Sequence, residues 1–342
     1  MKTLDSLVEK ALSRRSFLAG AGVVAASAAI TGCSSNSSSV TLPPTTTSAT
    51  TPTDSDYLNY ALNLEYLEAQ FYLYAATGNG LATSDTTGGS ASGYTTTGTV
   101  TVGSAAQVPN LTTAQQEILN EIAFEEQAHV KFLRAALGTA AVAMPDIDLS
   151  FFGPLAVAAT ITTDATGPNA FNPFSSFDYF LVGAFIFEDV GVTAYAGAAP
   201  LISSAGVAAG YLTAAAGILA VEGYHAGYVR TSLTGRAIAA AATGTPYPYL
   251  AAANLVEDLR ATLTVGASAA PSTTGSDETA LVLPTSVSTP SAIVAASPTT
   301  AVGFARTVNQ VHHIVYGNPT VGAYKGGFFP NGTNSIFAVT TA

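Results

Sequence analysis

At 342 residues the chain has the length of one large domain or two of ordinary size, and 10% of its residues are charged against 48% hydrophobic. The formal net charge of −11 excludes a phosphate-backbone binder, which needs a basic patch, so no nucleic-acid partner is expected. The single cysteine, Cys33, excludes an intramolecular disulfide framework and a thiolate zinc site.

The N-terminus reads Ser13-Arg14-Arg15-Ser16-Phe17-Leu18, then an Ala-rich apolar run to Ile30, then Thr31-Gly32-Cys33. Paired arginines ahead of a modestly apolar run have the form of a twin-arginine export signal. That route carries folded proteins and would place the chain in the periplasm or cell envelope. Ile30-Thr31-Gly32-Cys33 resembles a bacterial lipobox, whose cysteine becomes the acylated first residue; the other reading of residues 1–33 is an ordinary cleaved signal with an incidental cysteine. A lipid anchor at Cys33 is the one membrane attachment expected, because no stretch after the first 35 residues reads as long and apolar enough to cross a bilayer. Residues 34–55 are nearly all Ser, Thr and Pro, cannot bury enough surface to fold, and read as a disordered tether.

The first helix is expected over residues 56–76. Leu58, Leu62, Glu65, Ala69 and Tyr72 fall on one stripe at steps of three and four, which sets Glu65 among apolar residues. Glu68 lies one turn on, on a neighbouring face. Residues 77–111 are rich in Gly, Thr and Ser with β-leaning pieces over 94–102, and read as a loop or small inserted hairpin. The second helix begins at Thr112 or Thr113, with Thr113 and Gln116 fitting a capping box, and runs to Leu137, where Gly138 is a suitable stop. Glu126 and His129 lie in its middle. Residues 139–175 form a crossover too long for a hairpin turn, which suits a return to the far end of a bundle. The third helix, 176–198, sets Glu188 beside the apolar run 180–187, and Tyr195 follows seven residues later, repeating the Glu65–Tyr72 spacing. Pro200 breaks it, and a fourth helix over about 207–232 carries Glu222 and His225. Beyond Gly235 helices are expected over 249–263 and 300–316, joined by a Ser/Thr/Pro-rich link and followed by an aromatic turn segment from Gly326. This extension, 236–342, is expected to pack along the bundle.

Glu126 stands three residues before His129, and Glu222 three before His225. On a helix that step turns about 300° and rises about 4.5 Å, so each pair shares a face and can aim at one point. Eleven glutamates in 342 residues give any histidine roughly a 3% chance of such a partner, yet two of the four histidines have one. Four carboxylates in the core of a bundle repel one another unless a cation sits among them. Two divalent ions match them in charge, and two neutral imidazoles complete a ligand set. The bland reading has these glutamates reaching solvent at helix edges. Glu68, Glu121 and Glu125 are rivals: Glu125 lacks the step to His129, Glu121 lies off that face, and Glu65 is preferred to Glu68 on the strength of its tyrosine at plus seven. Tyr72 and Tyr195 are candidates for hydrogen bonds to ligand carboxylates or for redox steps, or else core aromatics with satisfied hydroxyls. His312 and His313 read as structural or surface residues.

Glu65, Glu126-x-x-His129, Glu188 and Glu222-x-x-His225 resemble the ligand pattern of the ferritin-like di-iron carboxylate bundle. The segments NYALNLEYLEAQFY, EIAFEEQAHVKFL, FEDVGVTAY and GGFFPNGTN resemble those of exported ferritin-like-domain proteins, a group that includes plant desiccation-related proteins. The resemblance covers residues 56–235 and part of the tail. It implies an all-α, antiparallel four-helix bundle with a long crossover between the second and third helices. It also implies two iron or manganese ions: Glu65 and His129 on one, Glu188 and His225 on the other, with Glu126 and Glu222 bridging. The activity expected is redox chemistry with a small oxidant, either ferrous oxidation by oxygen or removal of peroxide. The alternative is a non-catalytic envelope protein of stress or desiccation tolerance, with a structural metal or none. The anchor signal, the insertion and the extension depart from cage-forming ferritins, so a monomer or dimer is expected in place of a storage shell.

Overall fold

The computed structural model describes residues 51–103, 106–265, 280–283, 295–296 and 301–340. The export signal, Cys33 and all but the end of the tether lie outside the described residues. In chain order the elements are α1 (Asp54–Thr77), β1 (Val100–Thr101), α2 (Thr113–Leu137), β2 (Ile147–Asp148), α3 (Phe152–Ala158), α4 (Phe177–Ala198), α5 (Ser204–Ala209), α6 (Tyr211–Thr243), α7 (Tyr249–Val265) and α8 (Val308–Val315).

The helices begin where side chains can satisfy open backbone amides. Ahead of α1, the Thr53 backbone N–H donates to the Asp56 carboxylate at 2.7 Å. Ahead of α2, Thr112 accepts from the Gln115 amide at 3.3 Å, and its own N–H donates to the Gln115 side chain at 2.9 Å. The capping box therefore sits one residue earlier than the Thr113–Gln116 pair expected. Gln116 is engaged elsewhere, donating to the Ala76 carbonyl at the end of α1 at 3.3 Å. Ser176 caps α4 by accepting from the Tyr179 amide at 3.3 Å. The expected fourth helix is two helices: Gly210, at φ +91°, separates α5 from α6, which continues to Thr243. An Ala-rich stretch with high helix propensity carries it past Gly235 until Gly244 ends it at φ +68°.

Cross-helix hydrogen bonds fix the directions. The start of α1 lies at the end of α2, where Asn59 donates to the Ala140 carbonyl at 3.0 Å; the end of α1 lies at the start of α2, where Gln116 meets Ala76. Between α1 and α4, Tyr72 reaches Glu188 and Tyr195 reaches Glu65, so these two are antiparallel. Arg236 pairs with Asp178 at 2.5 Å while His225 lies 3.6 Å from Glu188, so α4 and α6 are antiparallel too. Helices α2 and α4 consequently run the same way, and the crossover between them travels the length of the bundle.

Polar residues on the outer side of α1 hold that crossover. The Val142 amide donates to Asn59 at 3.0 Å, and the Tyr66 hydroxyl donates to the Val142 carbonyl at 3.1 Å while accepting from Arg134 at 2.6 Å. Of the two forms expected for the insertion, a loop or a small hairpin, the described residues take the loop, with one short strand. Its strand β1 pairs in parallel with β2 of the crossover, Val100 opposite Ile147, because Asp146 accepts from the Thr99 amide at 2.7 Å and sets the register.

The extension lies on the bundle: α7 packs on α4, and α8 on α7 and α4. The helix expected over 300–316 is shortened to α8 because Thr307 caps it, accepting from the Gln310 amide at 3.3 Å. The tail then binds back. The Phe328 amide donates to the Val315 carbonyl, and the Asp148 amide to the Phe328 carbonyl, both at 2.9 Å. Gly327 is needed there, since at φ +55° a Cβ would lie 2.4 Å from the Val315 carbonyl oxygen. The Phe328 ring meets Phe152 and Phe187 with centroids 5.0 and 4.9 Å apart.

With crossover and tail on its outer side, every residue of α1 from 58 to 72 is buried. The expectation that no segment beyond the signal is long and apolar enough to span a bilayer needs correction. Phe177–Leu201 passes by length and composition, with a mean hydropathy of 1.4, and 83% of that window is buried inside the fold. The central helix of a bundle that carries an extension on its outer side is apolar all round for the same reason.

Candidate metal centre

Glu65 and Glu68 from α1, Glu126 and His129 from α2, Glu188 from α4, and Glu222 and His225 from α6 meet in the bundle core, each no more than 7% exposed. His129 Nδ1 lies 3.2 Å from Glu65 Oε2, 3.5 Å from Glu222 Oε1 and 3.7 Å from Glu126 Oε2. His225 Nδ1 lies 2.9 Å from Glu126 Oε1 and 3.6 Å from Glu188 Oε2. Three sets of ligand atoms, Glu65/Glu126/His129/Glu222, Glu126/Glu188/His225 and Glu68/Glu188/Glu222, each lie within 4.8 Å of one another. The two imidazole rings are 6.5 Å apart.

All six expected ligands are therefore brought together. Of the rivals, Glu121 is exposed on the outer side of α2. Glu125 is half-buried and holds the far nitrogen of His225, its Oε2 being 2.7 Å from Nε2. Glu68, which the tyrosine spacing ranks below Glu65, is in the cluster as well. Tyr72 and Tyr195 donate hydrogen bonds to Glu188 and Glu65 respectively, each reaching across from the opposite helix. His312 and His313 are buried in α8, away from the cluster, with His312 stacked on Tyr316 at 5.1 Å.

Inward-facing ligand atoms without a hydrogen-bond partner are the decisive feature: Glu65 Oε2, Glu68 Oε2, both oxygens of Glu126, both of Glu222, Glu188 Oε2, and the Nδ1 atoms of His129 and His225. Buried polar atoms of this kind are rarely left unpaired, because each costs about 1–3 kcal/mol or more. Here they converge. Without a cation the seven groups can balance charge only by holding protons. Burial, reinforced by the neighbouring carboxylates, pushes Glu68 and Glu222 well above the usual carboxylate range. Burial likewise raises Glu65 and Glu188, against the pull of His129 and His225. Burial opposes the charge on Glu126 as well, but two imidazoles hold it down to about 2. Burial opposes protonation of His129, and the carboxylates of Glu65 and Glu126 overcome it, pushing the ring up to about 12. A bound cation would take the place of those protons, and an oxygen-rich set with two imidazoles is of the kind that suits iron or manganese.

Beside the cluster lies a buried charge network that is not among the features expected from the sequence. Asp189, adjacent to Glu188, accepts from Arg230 of α6 at 2.6 Å and from Arg260 of α7 at 2.9 Å. Both guanidinium groups lie over the Phe185 ring, 5.3 and 4.5 Å from its centroid. The available signal was the Glu188-Asp189 pair at the end of an apolar run, where a second acid needs its own counter-charge.

The ferritin-like domain model matches residues 53–235. A ferritin-like catalase of Nesocodon mauritianus is 26% identical over 297 residues, covering 83% of this chain and 85% of its own. A desiccation-related protein of Craterostigma plantagineum is 28% identical over 188 residues, which is 54% of each chain. No solved structure matches. The matched span contains all four bundle helices' contributions to the cluster, and on that evidence the chain belongs to the ferritin-like domain family.

Proposed function

We propose that the chain is an exported di-metal enzyme that removes peroxide, converting two H2O2 to two H2O and one O2. Glu65, Glu126, His129, Glu188, Glu222 and His225 would hold two iron or manganese ions. The observation that carries this reading is the convergence of partnerless carboxylate oxygens and two Nδ1 atoms from four helices on one buried point. When bound, such a pair supplies a two-electron redox couple. The similarity to a ferritin-like catalase over most of both chains favours peroxide over ferrous iron as substrate.

The chain's own residues do the positioning. Tyr72 and Tyr195 each fix one oxygen of Glu188 and Glu65 and leave the other turned inward. Burial and the adjacent carboxylates push both phenols well above their usual range, so they stay protonated as donors. Glu125 accepts from His225 Nε2 and so fixes the tautomer that would offer the Nδ1 lone pair to a metal in place of the proton that Glu126 and Glu188 otherwise hold there.

A second reading, a non-catalytic stress protein, is favoured by the similarity to a desiccation-related protein. Metal content and peroxide turnover of the purified chain separate the two. The enzyme reading expects about two metals per chain, one O2 released per two peroxides, and at least a ~100-fold loss of turnover in Glu126→Ala and His225→Ala. Less than about 0.5 metal per chain, unchanged by Glu126→Ala, would sink it. Full metal content without peroxide turnover would leave ferrous oxidation or the structural reading.

A further inference from the structure

We infer that Glu68 is a seventh protein ligand, binding the ion on the Glu188–His225 side and making the two metal positions unequal. The inference rests on the di-metal reading above and goes beyond its six ligands.

The four bundle helices form an internal repeat, in which Glu65 and Tyr72 of α1 correspond to Glu188 and Tyr195 of α4. Three residues after the ligand, however, α1 carries Glu68 and α4 carries Gly191. This is where the two halves part. A Cβ on Gly191 would lie 2.3 Å from Glu222 Oε2 and 3.4 Å from a Glu68 oxygen, so the absent side chain makes the room that the Glu68 and Glu222 carboxylates occupy. Small residue and extra carboxylate form one feature.

Glu68 also has nowhere else to turn. It is 6% exposed, and its Oε2 has no partner. Leu64, Leu67, Ile186, Phe187, Val190 and Phe328 line the small cavity beside it, and none offers a polar side chain. Its ligand atom lies within 4.8 Å of those of Glu188 and Glu222. Glu222 is shared with the Glu65–His129 set and Glu188 with the His225 set. As Glu188 is the expected terminal ligand while Glu222 bridges, it is Glu188 that assigns Glu68 to the His225 side. Charge argues the same way. Two divalent ions already balance Glu65, Glu126, Glu188 and Glu222, so a fifth buried carboxyl keeps its proton unless it gives that proton up to touch a cation directly.

The test is calorimetric titration of the full chain with Mn2+, together with electron paramagnetic resonance of the loaded protein. Wild type is expected to bind two ions of different affinity. Glu68→Gln, which keeps the shape and removes the charge, is expected to weaken one ion at least ~10-fold, leave the other within ~3-fold, and alter one of two resonance signals. Glu68→Asp keeps the charge but withdraws it by one methylene, and the same single ion should weaken. It guards against a folding defect peculiar to the glutamine variant. Equal weakening of both ions in both variants, or of neither, would overturn the inference while the di-metal reading stands. A wild-type chain that binds no manganese or iron would remove the metal centre itself, and this inference with it.

Discussion

His129 can ligate a metal only as a neutral ring, yet the surrounding carboxylates push its protonation up to about 12. The carboxyls of Glu68 and Glu222 are likewise raised and hold protons in the absence of a cation. Loading the site must therefore expel protons, and affinity for Mn2+ should rise with pH through the neutral range. Titration in buffers of different ionisation enthalpy measures the release directly; an uptake, or a pH-independent affinity, would contradict the account. His312 has the opposite sign. Burial, helped by neighbouring His313, depresses it from 6.5 to about 3, so it folds in neutral. A base with a depressed folded pKa contributes stability that is present above 6.5 and is lost as pH falls from 6.5 towards about 3. The slope approaches about 1.4 kcal/mol per pH unit for one group. Replacing His312 with Phe should flatten that limb of the pH–stability curve obtained by urea unfolding.

Among the elements, α4 carries the most constraint. It presents Glu188 to the cluster, Gly191 to the extra carboxylate, and Asp189 to Arg230 and Arg260 on its other side. Asp189→Ala takes a carboxylate away from two fully buried guanidinium groups, a change that typically costs about 3–5 kcal/mol. Denaturant unfolding should show that loss; a change below about 1 kcal/mol would mean that the other partners of these arginines suffice. The network also explains what the extension does for the bundle. Arg260 belongs to α7, and Arg306 donates to Thr193 of α4 at 2.8 Å, so the segment after residue 243 grips the helix that holds Glu188.

At the scale of the molecule, the cluster is a cost to the fold until a cation enters it. A ligand that binds only the folded chain adds RT ln(1 + [L]/Kd), about 2.7 kcal/mol at a hundredfold excess over Kd. Chelation should accordingly lower Tm by several degrees, at about 2–4 °C per kcal/mol for a domain approaching this size. Differential scanning calorimetry with and without chelator, followed by Mn2+ addition, checks this. Equal Tm values would place the cation outside the folded core.

Much of this was legible in the chain because it is local. The three-residue step in Glu126–His129 and Glu222–His225 fixes a shared helix face whatever surrounds it, and the seven-residue step puts Tyr72 on the face of Glu65 and Tyr195 on that of Glu188. The ends of the first three bundle helices, with Gly138 as a stop and 176 as a start, followed within about two residues, whereas the fourth helix runs on to Thr243 and α8 begins only at Val308. Three features were not legible, and they share a cause. The tyrosine at plus seven favours Glu65 over its rival Glu68 on a neighbouring face, but both faces of α1 are inside once the Asn334 amide donates to Asn63 at 2.9 Å and Asn59 holds the crossover. The partner of β1 lies in the crossover, 47 residues away, and the counter-charges of Asp189 lie 41 and 71 residues away. By itself the sequence determined which residues could ligate and on which helices, since helical periodicity is a property of the local backbone. Only the tertiary structure decided how many carboxylates the site holds, because burial of a face depends on segments brought against it from far along the chain.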